Sequence, residues 1–408
     1  MTTDLEPVDS FRDRARRWLK ENLPPTTQTY TGADHDEVWD RARELQRILA
    51  DGGFAGICFP KAYGGQGLTP AHQQAFTEES LGYEMPLVLN VPTLAICAAT
   101  LLELGTEEQK RAHLTAVLRG AEILAQFLSE PRGGSDLAGL TTRADRDGAE
   151  WILNGSKIWS SGAYAADYGL CLARTDWDVP KHNGLTLFLV PVAAPGVTIQ
   201  RIKQVTGSTE FCQEFFDDVR LSADAVIGEV GDGWAAASRL LNHERAAMGG
   251  TSPYTSGQRP HLGAEATTLV DLARTTGGLD DPRVRADIGA ARAMIVVRNQ
   301  LIAYVSHAVG TGALPPAAGS IVRLFSAENA LLQTDSAVTI AGAAAVTGDP
   351  DGPGIGQLGI DYLFRNAWSL AGGSTEMARN IISERVLGMP REHAADRDVP
   401  FNKVERGR

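Results

Sequence analysis

The chain has 408 residues, with 50 acidic against 38 basic side chains and a formal net charge of −12. That negative surplus argues against nucleic acid as a main partner, and 43% hydrophobic with 22% charged residues excludes disorder and small disulfide scaffolds. The length suffices for two or three domains with substantial cores. The start MTTDLEPVDS has neither a basic cluster nor an apolar run, and no stretch is read as approaching the roughly 18 apolar residues that span a bilayer. A cytoplasmic protein without a membrane span is the expectation. Cys58, Cys97, Cys171 and Cys212 are too scattered for a metal or dithiol motif and are read as small apolar fillers.

Up to residue 122 the pattern is helical. Ser10 is expected to cap a segment with Phe11, Ala15, Trp18, Leu19 and Leu23 on one face, closed by Pro24 and Pro25. Val38, Ala42, Leu45, Ile48 and Leu49 mark a second helix before Gly52 and Gly53. Thr69-Pro70 opens another, and Thr106 with Gln109 forms a capping box for a helix through Leu118. From 123 to 230 alternation replaces the helical period. Asp147-Gly148 and Asn154-Gly155 read as hairpin turns around a short strand, Glu150 to Leu153, with further strands at 168–174, 185–192, 197–202 and 211–221. This predicts an antiparallel β-domain, a small barrel or sandwich. From 231 to 408 the helical period returns, over 234–248, 262–274, 282–309, 320–341 and 375–386, the signature of a four-helix bundle. The charged tail from Arg391 reads as a mobile or interface segment. The fold class is therefore α+β, in three domains.

Two patches stand out. Gln126-Phe127-Leu128-Ser129-Glu130-Pro131-Arg132-Gly133-Gly134-Ser135-Asp136 runs a strand into a glycine-rich loop able to present N–H and hydroxyl groups to a heteroaromatic ring or a phosphate, although its composition equally fits a plain β-turn. Lys157-Ile158-Trp159-Ser160-Ser161-Gly162 adds an aromatic plane beside two hydroxyls. Gly354-x-Gly356-x-x-Gly359 matches a dinucleotide fingerprint literally, but follows a proline- and aspartate-rich stretch instead of a strand and is read as a loop.

With Tyr63-Gly64-Gly65-Gln66-Gly67-Leu68, Gly105-Thr106-Glu107-Glu108-Gln109-Lys110, Asn154-Gly155-Ser156-Lys157-Ile158-Trp159 and Gly372-Gly373-Ser374-Thr375-Glu376-x-x-Arg379-Asn380, these patches stand in the order of the acyl-CoA dehydrogenase family, which the chain resembles over nearly its whole length. The resemblance implies FAD, an acyl-CoA thioester substrate and an electron-transfer flavoprotein as acceptor. It assigns Gln126, Leu128 and Ser129, with Trp159 and Ser161, to the flavin ring, and Ser135 to the pantetheine or nucleotide part of the thioester. It places carbonyl polarisation at Gly372 and Gly373.

In the family a carboxylate takes the α-proton while hydride leaves the β-carbon for flavin N5, giving a trans-2-enoyl thioester. Many relatives carry that glutamate where this chain has Gly372. A second lineage carries it on the first helix of the C-terminal bundle, and Glu244 in Asn242-His243-Glu244-Arg245 matches it. Leu240, Leu241 and Met248 place Glu244 beside the apolar stripe of its helix, where its pKa should rise. Glu376 is a weaker rival, and His243 reads as a helix-surface residue.

Two family elements for the FAD tail are missing: no Arg-Phe-Gly occurs in 255–274, and the usual glutamine- and glycine-rich loop reads Thr339-Ile340-Ala341-Gly342-Ala343-Ala344. Both changes resemble bacterial subfamilies, several degrading sterol side chains, that pair unlike chains. A tetramer is expected, with α2β2 favoured over a homotetramer using Arg259 or Arg274. Gly249, Gly250 and the 253–260 loop lack bulk and leave room for a wide acyl group. A cofactor-poor structural subunit and a flavin monooxygenase on the same fold are the alternatives.

Overall fold

Apolar residues spaced three and four apart give the N-terminal helices one face each to bury. In the computed structural model, which describes residues 5–26, 34–248, 250–257, 266–347 and 355–404, helices Val8–Asn22, Asp36–Asp51 and Pro70–Glu79 pool Phe11, Leu19, Leu45, Leu49, Phe54 and Phe76 into one core. Thr69 caps with His72, and Thr106 with Gln109, as expected. Ser10 does not cap: the first helix begins at Val8 behind Pro7, whose fixed φ of −60° suits a helix entry, and the Ser10 hydroxyl instead donates to Glu6 at 3.3 Å.

The stretch Leu87–Leu104 corrects the reading that no run is long and apolar enough to cross a membrane. By length and composition it is, yet 72% of it is buried inside the protein. Leu94, Ile96 and Leu101 join strand and helix residues such as Leu124, Phe127, Leu172, Phe188, Ala237 and Leu240 in the largest core, so this segment is the hub on which sheet and C-terminal helices pack.

Strands β1 (Leu124–Phe127), β2 (Arg143–Asp147), β3 (Glu150–Ser161), β4 (Tyr168–Arg174), β5 (Leu185–Pro191), β6 (Val197–Arg201), β7 (Phe211–Ser222) and β8 (Val226–Ile227) form one sheet in the order β6-β7-β3-β2-β4-β5-β8. Most pairs are antiparallel, but β1 lies parallel to β4, which brings Gln126 opposite Leu170. The expected turn at Asn154-Gly155 is a bulge inside the 12-residue β3, where the register with β7 shifts between Leu153 and Gly155. Glycine is needed there for a close approach, because a Cβ on Gly155 would lie 2.6 Å from Thr142 Oγ1.

The C-terminal helices are Gly233–Met248, Ala266–Thr275, Pro282–Gly310 and Gly319–Ala341, followed by Ile355–Phe364 and by Thr375–Ile381, which continues helically to Val386. The Ile355–Phe364 helix replaces part of the expected glycine-rich loop, and Gly354 lies outside the described residues. Of the two readings of the tail from Arg391, the mobile one is not met at its end, which is fastened to the sheet domain with Phe401 only 3% exposed. Cys97, Cys171 and Cys212 are buried and Cys58 is half-buried, with burial raising the Cys171 thiol to about 12.

Two buried carboxylates flank Lys157 on β3. Glu130 ion-pairs with Lys157 Nζ at 3.0 Å and accepts from the N–H groups of Thr141 and Thr142 at 2.7 and 2.8 Å. Burial alone would raise its pKa, but the Lys157 charge and these donors outweigh it and hold it at about 2. Glu214, on the paired β7 residue, accepts from the Ser160 hydroxyl at 2.9 Å and is also stabilised by its own backbone N–H, while its Oε1 has no hydrogen-bond partner among the described residues. Burial lifts it to about 7 against the opposing Ser160 bond. A carboxyl raised on folding binds more protons folded than unfolded, so its stabilisation is full below the unfolded value and is lost as pH rises through about 7. Wild-type protein should therefore lose stability between pH 5 and pH 8, and Glu214→Gln should remove on the order of 3 kcal/mol of that loss in urea unfolding. Equal pH slopes for both proteins would contradict a buried, protonated Glu214.

Candidate active site

The Gly233–Met248 helix buries Ala236, Ala237 and Leu240 against the main core. One turn beyond Leu240 the same face carries Glu244, a side chain drawn into the protein but not sealed from solvent. Its Oε2 accepts from Gln126 Nε2 on β1 at 3.0 Å. The Gly372 N–H lies close enough to this carboxylate to favour its anion. Burial raises the Glu244 pKa, opposed in turn by the Gln126 bond, the charges of Arg245 and Arg323, and the Gly372 bond. The group is thus biased toward taking up a proton while donors and cations keep its anion attainable.

Arg323, on the Gly319–Ala341 helix, is a residue the sequence reading missed. It is only 6% exposed and donates to three carbonyls: Ala371 at 2.7 Å, Trp368 at 2.7 Å and Gly373 at 3.2 Å. These bonds shape the turn that holds Gly372 at φ +72° and Gly373 at φ +89°, conformations glycine adopts freely. A Cβ on Gly372 would lie 3.1 Å from Arg323 Nε and 3.5 Å from Met248 Cγ, so the glycine leaves room for the arginine and the methionine.

The two sequence patches meet. Ile158 N–H donates to the Ser129 carbonyl at 2.9 Å, and Lys157 Nζ donates to the Leu128 carbonyl at 2.9 Å, so the Lys157–Glu130 pair rivets the glycine-rich loop to β3. At the second register shift of β3, between Ile158 and Ser160, Trp159 takes φ +68° and stands 56% exposed, edge-on to Phe211. A left-handed, exposed tryptophan on a bulge is a costly placement in the absence of a ligand for its face. Ser161, two positions on, is half-buried, and Gly162 turns the chain against Trp39.

Ser135 is exposed and lies elsewhere, at a cavity of about 290 Å³ with Trp234, His182 and Arg385. Glu376 is exposed at the start of its helix, where its own N–H and the Thr375 hydroxyl lower its pKa, and it makes no bond to the Glu244 cluster. His243 faces Glu103 at 3.2 Å. Gly249, Arg259 and residues 258–260 lie outside the described residues, while Arg274 is paired with Asp271 at 2.6 Å. The preceding segment is pinned to the N-terminal domain, with Ser256 bonded to Gln46 at 2.8 Å and to Asn90 at 2.7 Å.

Family models for the acyl-CoA dehydrogenase N-terminal, middle and C-terminal domains match residues 6–121, 125–219 and 231–387. The chain belongs to the acyl-CoA dehydrogenase family. It is 36% identical over 95% of its length, and 99% of the relative's, to acyl-CoA dehydrogenase IpdE1 of Mycobacterium tuberculosis. Among solved structures, the Tcur3481-Tcur3483 steroid ACAD is similar at 30% identity and TM-score 0.75, covering 95% of this chain and 99% of that one. The ChsE4-ChsE5 complex from Mycobacterium tuberculosis is similar at 25% identity and TM-score 0.71, covering 96% and 100%.

Acyl-CoA dehydrogenases typically bind FAD. Gln126, Ser129, the exposed Trp159 face and Ser161 supply the N–H, O–H and aromatic groups that a flavin ring would need, on two patches joined by the Ile158–Ser129 bond. Since the Gln126 bond lowers the Glu244 pKa, Gln126→Leu should move the acidic limb of the enzyme's pH–rate profile to higher pH. An unmoved limb would show that the titrating group is not Glu244.

Proposed function

We propose that this acyl-CoA dehydrogenase removes the α-proton and the β-hydride of an acyl-CoA thioester, with Glu244 as the base. The observation that carries the reading is the 3.0 Å bond from Gln126, a flavin-patch residue, to a carboxylate whose pKa burial has raised. Breaking the α-C–H bond delivers its proton to a Glu244 oxygen, and the bonding pair forms the new α,β double bond as hydride leaves the β-carbon. FAD, when bound along Leu128, Ser129, Trp159 and Ser161, supplies the acceptor for that hydride, with an electron-transfer flavoprotein as onward acceptor. The Gly372–Gly373 turn, fixed by Arg323, presents N–H groups suited to polarising the thioester carbonyl and so acidifying the α-proton. Gln126 orients the carboxylate, and the surrounding core limits competing water.

Similarity to proteins named as steroid acyl-CoA dehydrogenases, and to a complex of two unlike chains, supports a wide steroid-derived acyl group and an α2β2 assembly in which the partner completes the hold on the FAD tail. The absence of the Arg-Phe-Gly sequence from 255–274 is in keeping with this.

Glu244→Gln should retain fold and flavin yet lose about 10²-fold or more in kcat, whereas Glu376→Gln should keep most activity, as measured by flavin bleaching with substrate. Near-normal bleaching in Glu244→Gln would sink the assignment. Purified alone, the chain should hold less than one FAD per chain. A stable, fully active homotetramer with one FAD per chain would overturn the mixed assembly.

A further inference from the structure

Strand β3 places a tryptophan outside and a serine inside where regular alternation would do the opposite. Lys157 and Ser160 are both buried although they stand three positions apart, an odd spacing that in an unbroken strand points to opposite faces. The register shift supplies the extra residue that makes this possible. Lys157 pairs with Glu214, Ile158 with Gln213 and Ser160 with Cys212, so Trp159 is paired with no residue of β7. Counted by alternation from Lys157, the interior position belongs to Trp159 and the outer one to Ser160. In the protein the indole stands exposed and the hydroxyl is sealed in the sheet domain.

Burial runs against that arrangement, since an indole gains more than a hydroxyl from leaving water. The bond that Ser160 Oγ donates to Glu214 Oε2 at 2.9 Å is what holds the serine inward. Little else accounts for a carboxyl at this place. The other buried residues of β7 are Cys212, Phe216, Val219 and Leu221, so Glu214 interrupts an apolar row. Lys157 lies opposite it in register but spends its ammonium on the Leu128 carbonyl at 2.9 Å and on Glu130 at 3.0 Å. Beyond Ser160, Glu214 has its own N–H and the through-space charge of Lys157, while Oε1 has no hydrogen-bond partner among the described residues. A buried polar group kept in apolar surroundings can serve to fix one register against another.

We infer that Glu214 is a positioning residue: by accepting from Ser160 it locks β3 in the bulged register that turns Trp159 outward. In the competing register the bulge is lost or displaced, Trp159 enters the sheet domain and Ser160 leaves it. Lys157, with Glu130 and the Leu128 carbonyl, fastens the strand just before the bulge, and Glu214 fastens it just after. Ile158 and Trp159 are thereby held at both ends. The functional part rests on the assignment of Trp159 and Ser161 to the flavin ring in the reading above, because a strand in the competing register has no indole face to offer the ring. Glu214 itself acts from the buried side of the sheet, through Ser160.

The test reads Trp159 directly. Full-length protein labelled with fluorotryptophan would be followed by fluorine NMR, alone and with added FAD, with the Trp159 signal among the seven tryptophans identified from W159F. A soluble paramagnetic chelate broadens the signal of an exposed indole and spares a buried one. E214L and S160A break the bond from its two ends, so S160A carries the test should E214L not fold, while E214Q keeps an acceptor oxygen for Ser160. The lock predicts that the chelate broadens the Trp159 signal in wild type and in E214Q and spares it in E214L and S160A. FAD affinity should fall about ten-fold or more in those two variants and stay near wild type in E214Q. Trp159 equally exposed in all four proteins would overturn the lock, and so would E214Q behaving like E214L. Trp159 withdrawn from solvent with FAD affinity unchanged would leave the lock standing and sink the assignment of Trp159 to the flavin.

Discussion

A carboxylate withdrawn from water at the meeting point of three segments is the constraint around which the rest of this molecule is arranged. Glu244 comes from the first C-terminal helix, Gln126 from the first strand of the sheet domain, and Gly372 from the turn before the last helix. An uncompensated charge there would cost several kcal/mol, so the surroundings must supply donors and positive charge without sealing them into a fixed ion pair. Arg323 meets that demand indirectly. Its guanidinium spends its hydrogen bonds on the carbonyls of Trp368, Ala371 and Gly373, so its charge reaches Glu244 through space while its bonds set the turn that offers the Gly372 N–H. A direct salt bridge would instead have pulled the Glu244 pKa down.

A second buried ion, Lys157, does comparable work where the glycine-rich loop meets β3. By bonding the Leu128 carbonyl and Glu130 together, it fixes the glycine-rich loop to β3 at the point where Ile158 also bonds Ser129. The register shift that follows turns Trp159 outward. The two patches are therefore one surface, held by a charge-assisted network inside the sheet domain. The raised Glu214 pKa behind Ser160 is in keeping with that crowding, since one lysine cannot hold two buried carboxylates ionised equally.

Much of this was legible in the sequence. The inward placement of Glu244 was legible because Leu240 lies one turn before it on an apolar stripe. The capping pairs at Thr69 and Thr106 and strand β4 are local patterns, and local patterns survive folding. What escaped was set by tertiary partners. Arg323 in Ile321-Val322-Arg323-Leu324 carries no mark of burial, since its partners lie 45 to 50 residues further on. Asn154-Gly155 has the composition of a turn, but pairing with β7 and the closeness of Thr142 make it a bulge. The charged tail read only as a mobile or interface segment because the residues that fasten it, Phe401 and Asp396, find their partners near residues 174–181. Leu87–Leu104 was passed over as a long apolar run, and its burial by both neighbouring domains explains why it needs to be one.

The central claim, that Glu244 is the group that takes the α-proton, is tested most directly by α-hydrogen exchange. A CoA thioester that cannot be dehydrogenated because sulfur or oxygen replaces its β-carbon would be incubated in D2O with the flavin-loaded enzyme, and deuterium at the α-carbon followed by mass spectrometry. Wild-type protein should exchange the α-hydrogens catalytically, and the Glu244→Gln protein should show no more than the solvent rate while binding the thioester normally. Exchange at the wild-type rate in Glu244→Gln would contradict the account.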